Sequence, residues 1–360
     1  MRGSSINIQL ASRYSDFMMP LEGIRVLDLS RILAGPHAAQ SLSDLGADVI
    51  KVEAPWGDDS RTWGPPFQKG FDGAEVASYF LSCNRGKKIV FANLKNERER
   101  VRSLMDTVDV VIENFKPGAF DRLLGPVDAD LIVCSISGYG QEGPRRDEPA
   151  FDLTMQARSG IMSVTGEEGG PPAKVGVAWI DVMTGMNAVS SILACLLRRD
   201  RGGGGARIDI SLWDTAVSSL VNQGHNALAG METGRMGSRH PNLVPYRVFR
   251  ASDGWFAIGV GTSGQWEKML DALSLTVPRS WNENRVRIEK REEVERLVQG
   301  TIVEYTRAEL EKLLQGVPCA PVNTISEALE DPQSKSRGNV IDYNGVPTLA
   351  SPFRFISTME

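Results

Sequence analysis

The chain has 360 residues, 41% hydrophobic and 24% charged, with 40 Lys+Arg against 45 Asp+Glu and a formal net charge of -5. That length buries a sizeable core and suggests about two domains, while balanced charge without a single-sign block lacks the basic footprint of a nucleic-acid binder. Four dispersed cysteines and three dispersed histidines show no CxxC, HxxxH or HExxH spacing, so neither a disulfide framework nor a metal site is expected.

The first residues, MRGSSINIQLASRYSDFM, carry two arginines, several serines and one acid. Residues 1–19 read as a tail or leader, with a cytoplasmic location expected, or the mitochondrial matrix if this segment is a transit peptide. Regular patterning starts at Leu21. Ile24–Leu29 is a short apolar run suited to a buried strand, Gly35–Leu45 a helix stopped by Gly46, and Asp48–Glu53 the next strand; this unit predicts a right-handed parallel crossover. Strands follow at Lys88–Phe91, Val108–Ile112 and Leu131–Ile136, with a charged amphipathic helix over Asn96–Asp106. The loops after them, Glu113–Gly118 and Ser137–Gly140, belong at the carboxyl edge of an open α/β sheet, where such sheets bind ligands.

A long apolar helix is predicted from Asp181 to Leu197. Its most membrane-like run, Ala188–Leu197, is about half the roughly 20 residues a span needs, so no membrane partner is expected. The Arg198–Arg201 and Gly202–Gly205 runs end the helix in a turn before a strand over Arg207–Leu212. Residues 224–243 lose periodicity and read as a linker. A hairpin over Tyr246–Phe249 and Trp255–Val260 and charged helices near 265–274, 291–299 and 306–314 then form a smaller α+β domain. The expected organisation is a large domain over 20–223, this linker, a small domain over 244–330 and a return to the large domain over 331–360.

Gly259-Val-Gly261-Thr-Ser-Gly264 fits GxGxxG between a strand and a helix, but no second strand of a βαβ unit follows, so nicotinamide or flavin binding is not expected. A glycine loop whose backbone can approach a ligand is the preferred reading, with a plain strand-to-helix turn beside it. Asp181 opens the long helix, and spacing alone reads it as an N-cap. Arg235, Arg239 and His240 read either as loop-surface charge or as a clamp for a distal carboxylate.

Motifs spread over about residues 20–355 change the weight of these alternatives: PLEGIRVLDLSRILAGP, LGADVIKVE, GDDSRTWGPPF, NRGKK, VIENFKPGAFDRL, CSISGYGQEGP, the V-x-x-x-D-x-x-T-G segment around Asp181, and GVPCAPVNTISEALEDP. In this order they resemble the class III CoA-transferases, the CaiB/BaiF family, and within it the succinate/hydroxymethylglutarate branch. The resemblance implies a Rossmann-like large domain with a smaller α+β domain in an interlinked-ring homodimer. It implies coenzyme A as substrate, with no metal, NAD or flavin. Asp181 would be the nucleophile, forming a mixed anhydride and then an aspartyl-CoA thioester. The CoA site would use Asn93, Lys95, Asn114, Phe115, Arg122, Gly138, Tyr139 and Gly140, and the Gly261–Gly264 loop would shield the anhydride and supply N–H donors.

Some positions depart from the pattern. Leu33, Ala54 and Ser137 stand where oxalate-type relatives carry Gln, Arg and Lys, which disfavours an oxalate-like acceptor. Phe151 and Thr262-Ser263-Gly264 stand where the α-methylacyl-CoA racemase branch needs His and Glu, so the acid/base pair for racemization is missing. A catalytically silent CoA-binding protein is the alternative of another class. The family pattern continues past Ser351–Phe355 into closing helices, and the Arg122–Leu131 segment is short, so a trimmed family member is expected.

Overall fold

The computed structural model describes residues 18–355, so most of the expected leader lies outside the described residues. The chain forms two compact units. The first takes the chain up to Ile161, Val175–Met231 and the chain from Pro332 onward; the second takes Met162–Lys174 and Glu232–Asp331.

The first unit is a six-stranded sheet of β1 (Arg25–Asp28), β2 (Asp48–Glu53), β3 (Lys88–Phe91), β4 (Val110–Glu113), β5 (Ile132–Ser137) and β6 (Ala206–Ser211). Every pairing is parallel and the order is 3-2-1-4-5-6, the doubly wound arrangement whose strand order reverses between β1 and β4. Side chains alternate between two cores, as period-two burial requires. Val26, Val49, Val110, Ile112 and Ile132 face α1 (Ala34–Asp44) and the long α5 (Trp179–Arg198). Leu27, Ile50, Val52, Val111 and Val133 face α2 (Arg98–Met105) and α3 (Ala119–Leu124). Helix α4 (Asp152–Arg158) and α6 (Leu212–Ser218) flank α5.

Helix α5 is 20 residues long, and it is long and apolar enough to cross a membrane, unlike the shorter run expected from sequence. Its Ile180, Ala188, Val189, Ile192 and Leu196 are instead buried in the core with the sheet. Gly185 explains how closely α1 and α5 pack: a Cβ there would sit 2.8 Å from the Ala34 carbonyl oxygen and 3.0 Å from His37 Nδ1.

The second unit has a three-stranded antiparallel sheet, β7 (Tyr246–Arg250), β8 (Trp255–Gly259) and β9 (Cys319–Pro321), covered by α7 (Ser263–Ala272), α8 (Arg291–Ile302) and α9 (Arg307–Leu313). Phe249, Phe256, Trp266, Val294, Val298 and Leu310 form its core. Two sequence expectations change. Residues 162–174, assigned to the large domain, belong to this unit, because Gly237 N–H donates to Gly166 O at 2.9 Å and Arg239 pairs with Glu168 at 3.2 Å. The expected linker from 224 begins inside a helix, Val221–Leu228, which buries none of its residues.

Candidate active site

The loops after β1 and β4, at the point of strand reversal, wall a cavity of about 310 Å³. Arg31, Ile32, Leu33 and Ala34 come from the first loop and the start of α1, Asn114, Phe115, Lys116 and Pro117 from the second, and Ser137 and Gly138 from the end of β5. Ala150, Phe151 and Asp181 complete one side. Here a doubly wound sheet leaves a crevice outside its strand ends.

Asp181 is the third residue of α5, whose N-cap is Ala178 and which no residue of its own caps. The expected cap role for Asp181 therefore does not hold. Asp152, 8% exposed at the first position of α4, does that work from outside. Its Oδ1 accepts N–H bonds from Ile180 at 2.8 Å and Asp181 at 3.4 Å, and its Oδ2 accepts from Gln156 Nε2 at 2.5 Å. Gln156 Oε1 accepts the Val175 N–H at 2.8 Å, so two residues one turn apart on α4 stitch down the strand-free approach to α5.

Burial first, then the Asp152 charge, push the Asp181 carboxyl up to about 7. The helix N-terminus favours the anion, but this is a partial charge worth at most about 2 kcal/mol, and desolvation wins. Tyr79, half-buried and packed edge-on to Trp63 with ring centroids 5.3 Å apart, is pushed up to about 12 by burial and then by Asp181. The phenol therefore stays neutral. A desolvated carboxylate that ionises near neutrality is a competent nucleophile at physiological pH.

Of the residues expected to hold CoA, Asn114, Phe115 and Gly138 line this cavity with Asp181. A Cβ on Gly138 would run into Ala150, which gives that glycine a steric reason. The Asn114 amide spends one acceptor and one donor on Arg31: its Oδ1 accepts the Arg31 N–H at 3.0 Å and its Nδ2 donates to the Arg31 carbonyl at 2.9 Å. It locks the β1 loop to the β4 loop. Asn93, Lys95, Arg122, Tyr139 and Gly140 are not in the wall. Asn93 Oδ1 accepts the Lys95 N–H in a local turn, Tyr139 packs on Trp213 with centroids 6.0 Å apart, and Gly140, at φ +92°, donates to Ser137 Oγ. Lys95 and Arg122 are exposed.

In the second unit the Gly261–Gly264 loop is the N-terminus of α7. Gly261 and Thr262 N–H groups both donate to Gln265 Oε1, at 2.8 and 3.1 Å, in a capping box. Those two amides are occupied within the loop. Arg239 is likewise committed, to Glu168, Glu292 and Glu295, and His240 Nδ1 accepts the Asn242 N–H at 3.0 Å. Neither is an open carboxylate clamp. Sequence reasoning passed over Ile32, Lys116 and Asp152; only Asp152 carried any signal, as a polar residue starting a helix.

A 3-2-1-4-5-6 sheet with a carboxyl in the cavity at its switch point is an α/β fold with a reactive group where such sheets bind ligands. The sequence pattern of "CoA-transferase family III" matches residues 21–359, and the chain belongs to that family. It is 40% identical over 339 residues to the succinate–glutarate CoA-transferase of Agrobacterium fabrum, covering 90% of this chain and 85% of that one. With the mouse succinyl-CoA:glutarate CoA-transferase it shares 39% identity over 344 residues, 91% and 78% of the two chains. A crystal structure of a CaiB/BaiF family protein from Brucella suis superposes with TM-score 0.84 at 42% identity, covering 94% and 93%. The protein is a CoA-transferase.

Proposed function

We propose that the chain exchanges CoA between succinyl-CoA and a second dicarboxylic acid through Asp181. The observation that carries this is the half-buried Asp181 carboxyl, raised to about 7 in the cavity of the strand-reversal point; the names of the relatives supply the succinyl donor and a glutarate-like acceptor. Asp181 Oδ attacks the thioester carbonyl, the C–S bond breaks and CoA leaves as thiolate, giving an acyl-aspartyl anhydride. The thiolate then attacks the aspartyl carbonyl, releasing succinate and forming an aspartyl-CoA thioester. The acceptor carboxylate repeats these steps in reverse and restores Asp181, with no net proton exchanged. Covalent catalysis of this kind splits one hard exchange into easier ones.

Each tetrahedral intermediate carries an oxyanion, for which one preorganised donor is worth about 3–4 kcal/mol. Phe151, 60% exposed and lining the same cavity, offers no acid or base, which speaks against racemization. A homodimer in the cytoplasm completes the proposal. The test is succinyl-CoA-dependent transfer to a panel of dicarboxylic acids, with hydroxylamine or borohydride trapping followed by mass spectrometry. Label at Asp181 supports the reading; an unlabelled, fully active enzyme, or deuterium wash-in at the α-carbon of a 2-methylacyl-CoA, overturns it.

A further inference from the structure

One backbone position in the cavity wall is of a kind that branched side chains avoid. Ile32 has φ +74°, in the left-handed region where a β-branched residue is an outlier and where glycine would sit without penalty. Such conformations persist only when the surroundings over-determine them, and here they do. Both Asp58 carboxylate oxygens accept the Ile32 N–H, at 3.3 and 3.2 Å. Asp58 is buried and pairs at 3.1 Å with Lys51, whose side chain is also fully buried. Lys51 Nζ donates to the Ser30 carbonyl at 2.8 Å, the Ser30 N–H and hydroxyl bond to Asp28, and Asn114 brackets Arg31 on both backbone groups. The segment Ser30–Ile32 is thus held at each residue, and it delivers Leu33 and Ala34, the uncapped opening of α1, to the cavity that holds Asp181.

A buried ion pair is poor evidence of stabilisation, because desolvation offsets its attraction; setting a conformation is its better-attested use. Asp58 does not line the cavity, and neither does Ser60, whose N–H and hydroxyl it also accepts at 3.0 and 2.7 Å, so its routes to the cavity wall are the Ile32 N–H and, by way of Lys51, the Ser30 carbonyl. Resting on the reading of Asp181 as nucleophile, we propose that Asp58 is a positioning residue for the transfer: anchored by Lys51, it holds Ile32 left-handed and thereby sets where Leu33 and Ala34 meet the acyl-CoA beside Asp181.

The experiment is a double-mutant cycle on the full chain, Asp58→Asn, Ile32→Gly and the pair, read both as succinyl-CoA transfer kinetics and as Tm. Asp58→Asn should lower kcat about tenfold while changing KM for succinyl-CoA less than about threefold, the pattern of a contact used in the transition state. In the Ile32→Gly background the same replacement should change kcat less than about threefold and lower Tm less, because a glycine no longer needs holding. Equal losses in both backgrounds, or an unchanged kcat, overturn the proposal. Should Asp58→Asn fail to fold, Ile32→Gly against Ile32→Ala decides with the ion pair intact. Both trim the side chain, but only glycine accepts the left-handed backbone without strain, so with Asp58 in place glycine should melt higher than alanine and turn over at least as fast; a glycine variant that melts no higher than alanine, or turns over more slowly, overturns the proposal. A wild-type chain without transferase activity counts against the functional reading instead, and the Tm arm alone then judges the Asp58–Ile32 coupling, additive values overturning it.

Discussion

Two aspartates at the same sheet edge, Asp28 and Asp181, meet opposite fates. Asp28 is fully buried and Asp181 half-buried, and burial raises any carboxyl. At Asp28 that push is overcome by Lys87 at 2.8 Å and Lys51 at 3.8 Å, which hold its carboxyl below the usual range. At Asp181 burial is joined by another acid, Asp152, and the carboxyl rises to about 7. Lys51 shows the reciprocal effect: burial drives it down, but Asp28, Asp58 and Glu53 outweigh that and raise it. The difference is one of partners, not of residue type. A paired carboxylate is spent on structure, and a desolvated one beside a like charge remains available for chemistry.

The comparison breaks most sharply at Asp181. Asp181→Asn should lower kcat for CoA transfer by at least about a thousandfold, because the proposed nucleophile is gone, while CoA still binds; steady-state kinetics and equilibrium dialysis check both. The same variant tests the electrostatics through stability. Since the folded carboxyl is raised from 3.8 to about 7, the native state binds the extra proton between those values and stability falls as pH rises through that window. The gain in Tm of Asp181→Asn over wild type should therefore grow from about pH 4 to about pH 7 and level off above. A gain that shrinks with rising pH would contradict the assigned cause.

On the paired side, Lys51→Met leaves Asp58 buried without its cation and should cost about 3–5 kcal/mol in urea unfolding. Gly185→Ala comes next: its Cβ would sit 2.8 Å from the Ala34 carbonyl oxygen, so α1 and α5 must separate at a cost of about 1–3 kcal/mol, readable as a lower denaturation midpoint. The smallest effect belongs to Asp152→Asn. It retains an acceptor for the Ile180 N–H but removes the charge that raises Asp181, so the ascending limb of kcat/KM should move to lower pH. Asp152→Ala, lacking the acceptor too, should lose about 1 kcal/mol of cap stability besides; a limb that stays in place would assign the Asp181 shift to burial alone.

Much of the fold was legible because its signals are local. The strands at Asp48–Glu53 and Lys88–Phe91 coincide with their apolar runs, and the other sheet strands shift by one or two residues. The V-x-x-x-D-x-x-T-G segment pointed to Asp181, and the structure supplies the reason for its glycine. The rest required contacts across long separations. Nothing near Asp152 announces that it caps a helix 28 residues later, and Asn114, expected to face the ligand, spends its amide on Arg31, 83 residues away. Residues 162–174 look like any glycine-rich loop until Gly166 and Glu168 find partners beyond residue 231.

By itself, the sequence determined the α/β alternation, the small antiparallel region and the class of enzyme, because hydrophobic period, turn residues and spaced motifs are written along the chain. Only the tertiary structure decided which carboxylates are paired and which is desolvated, why an isoleucine sits left-handed in the cavity wall, and which expected ligand residues are occupied. Those properties depend on burial and on the charges brought within a few ångströms, and neither is a function of sequence distance.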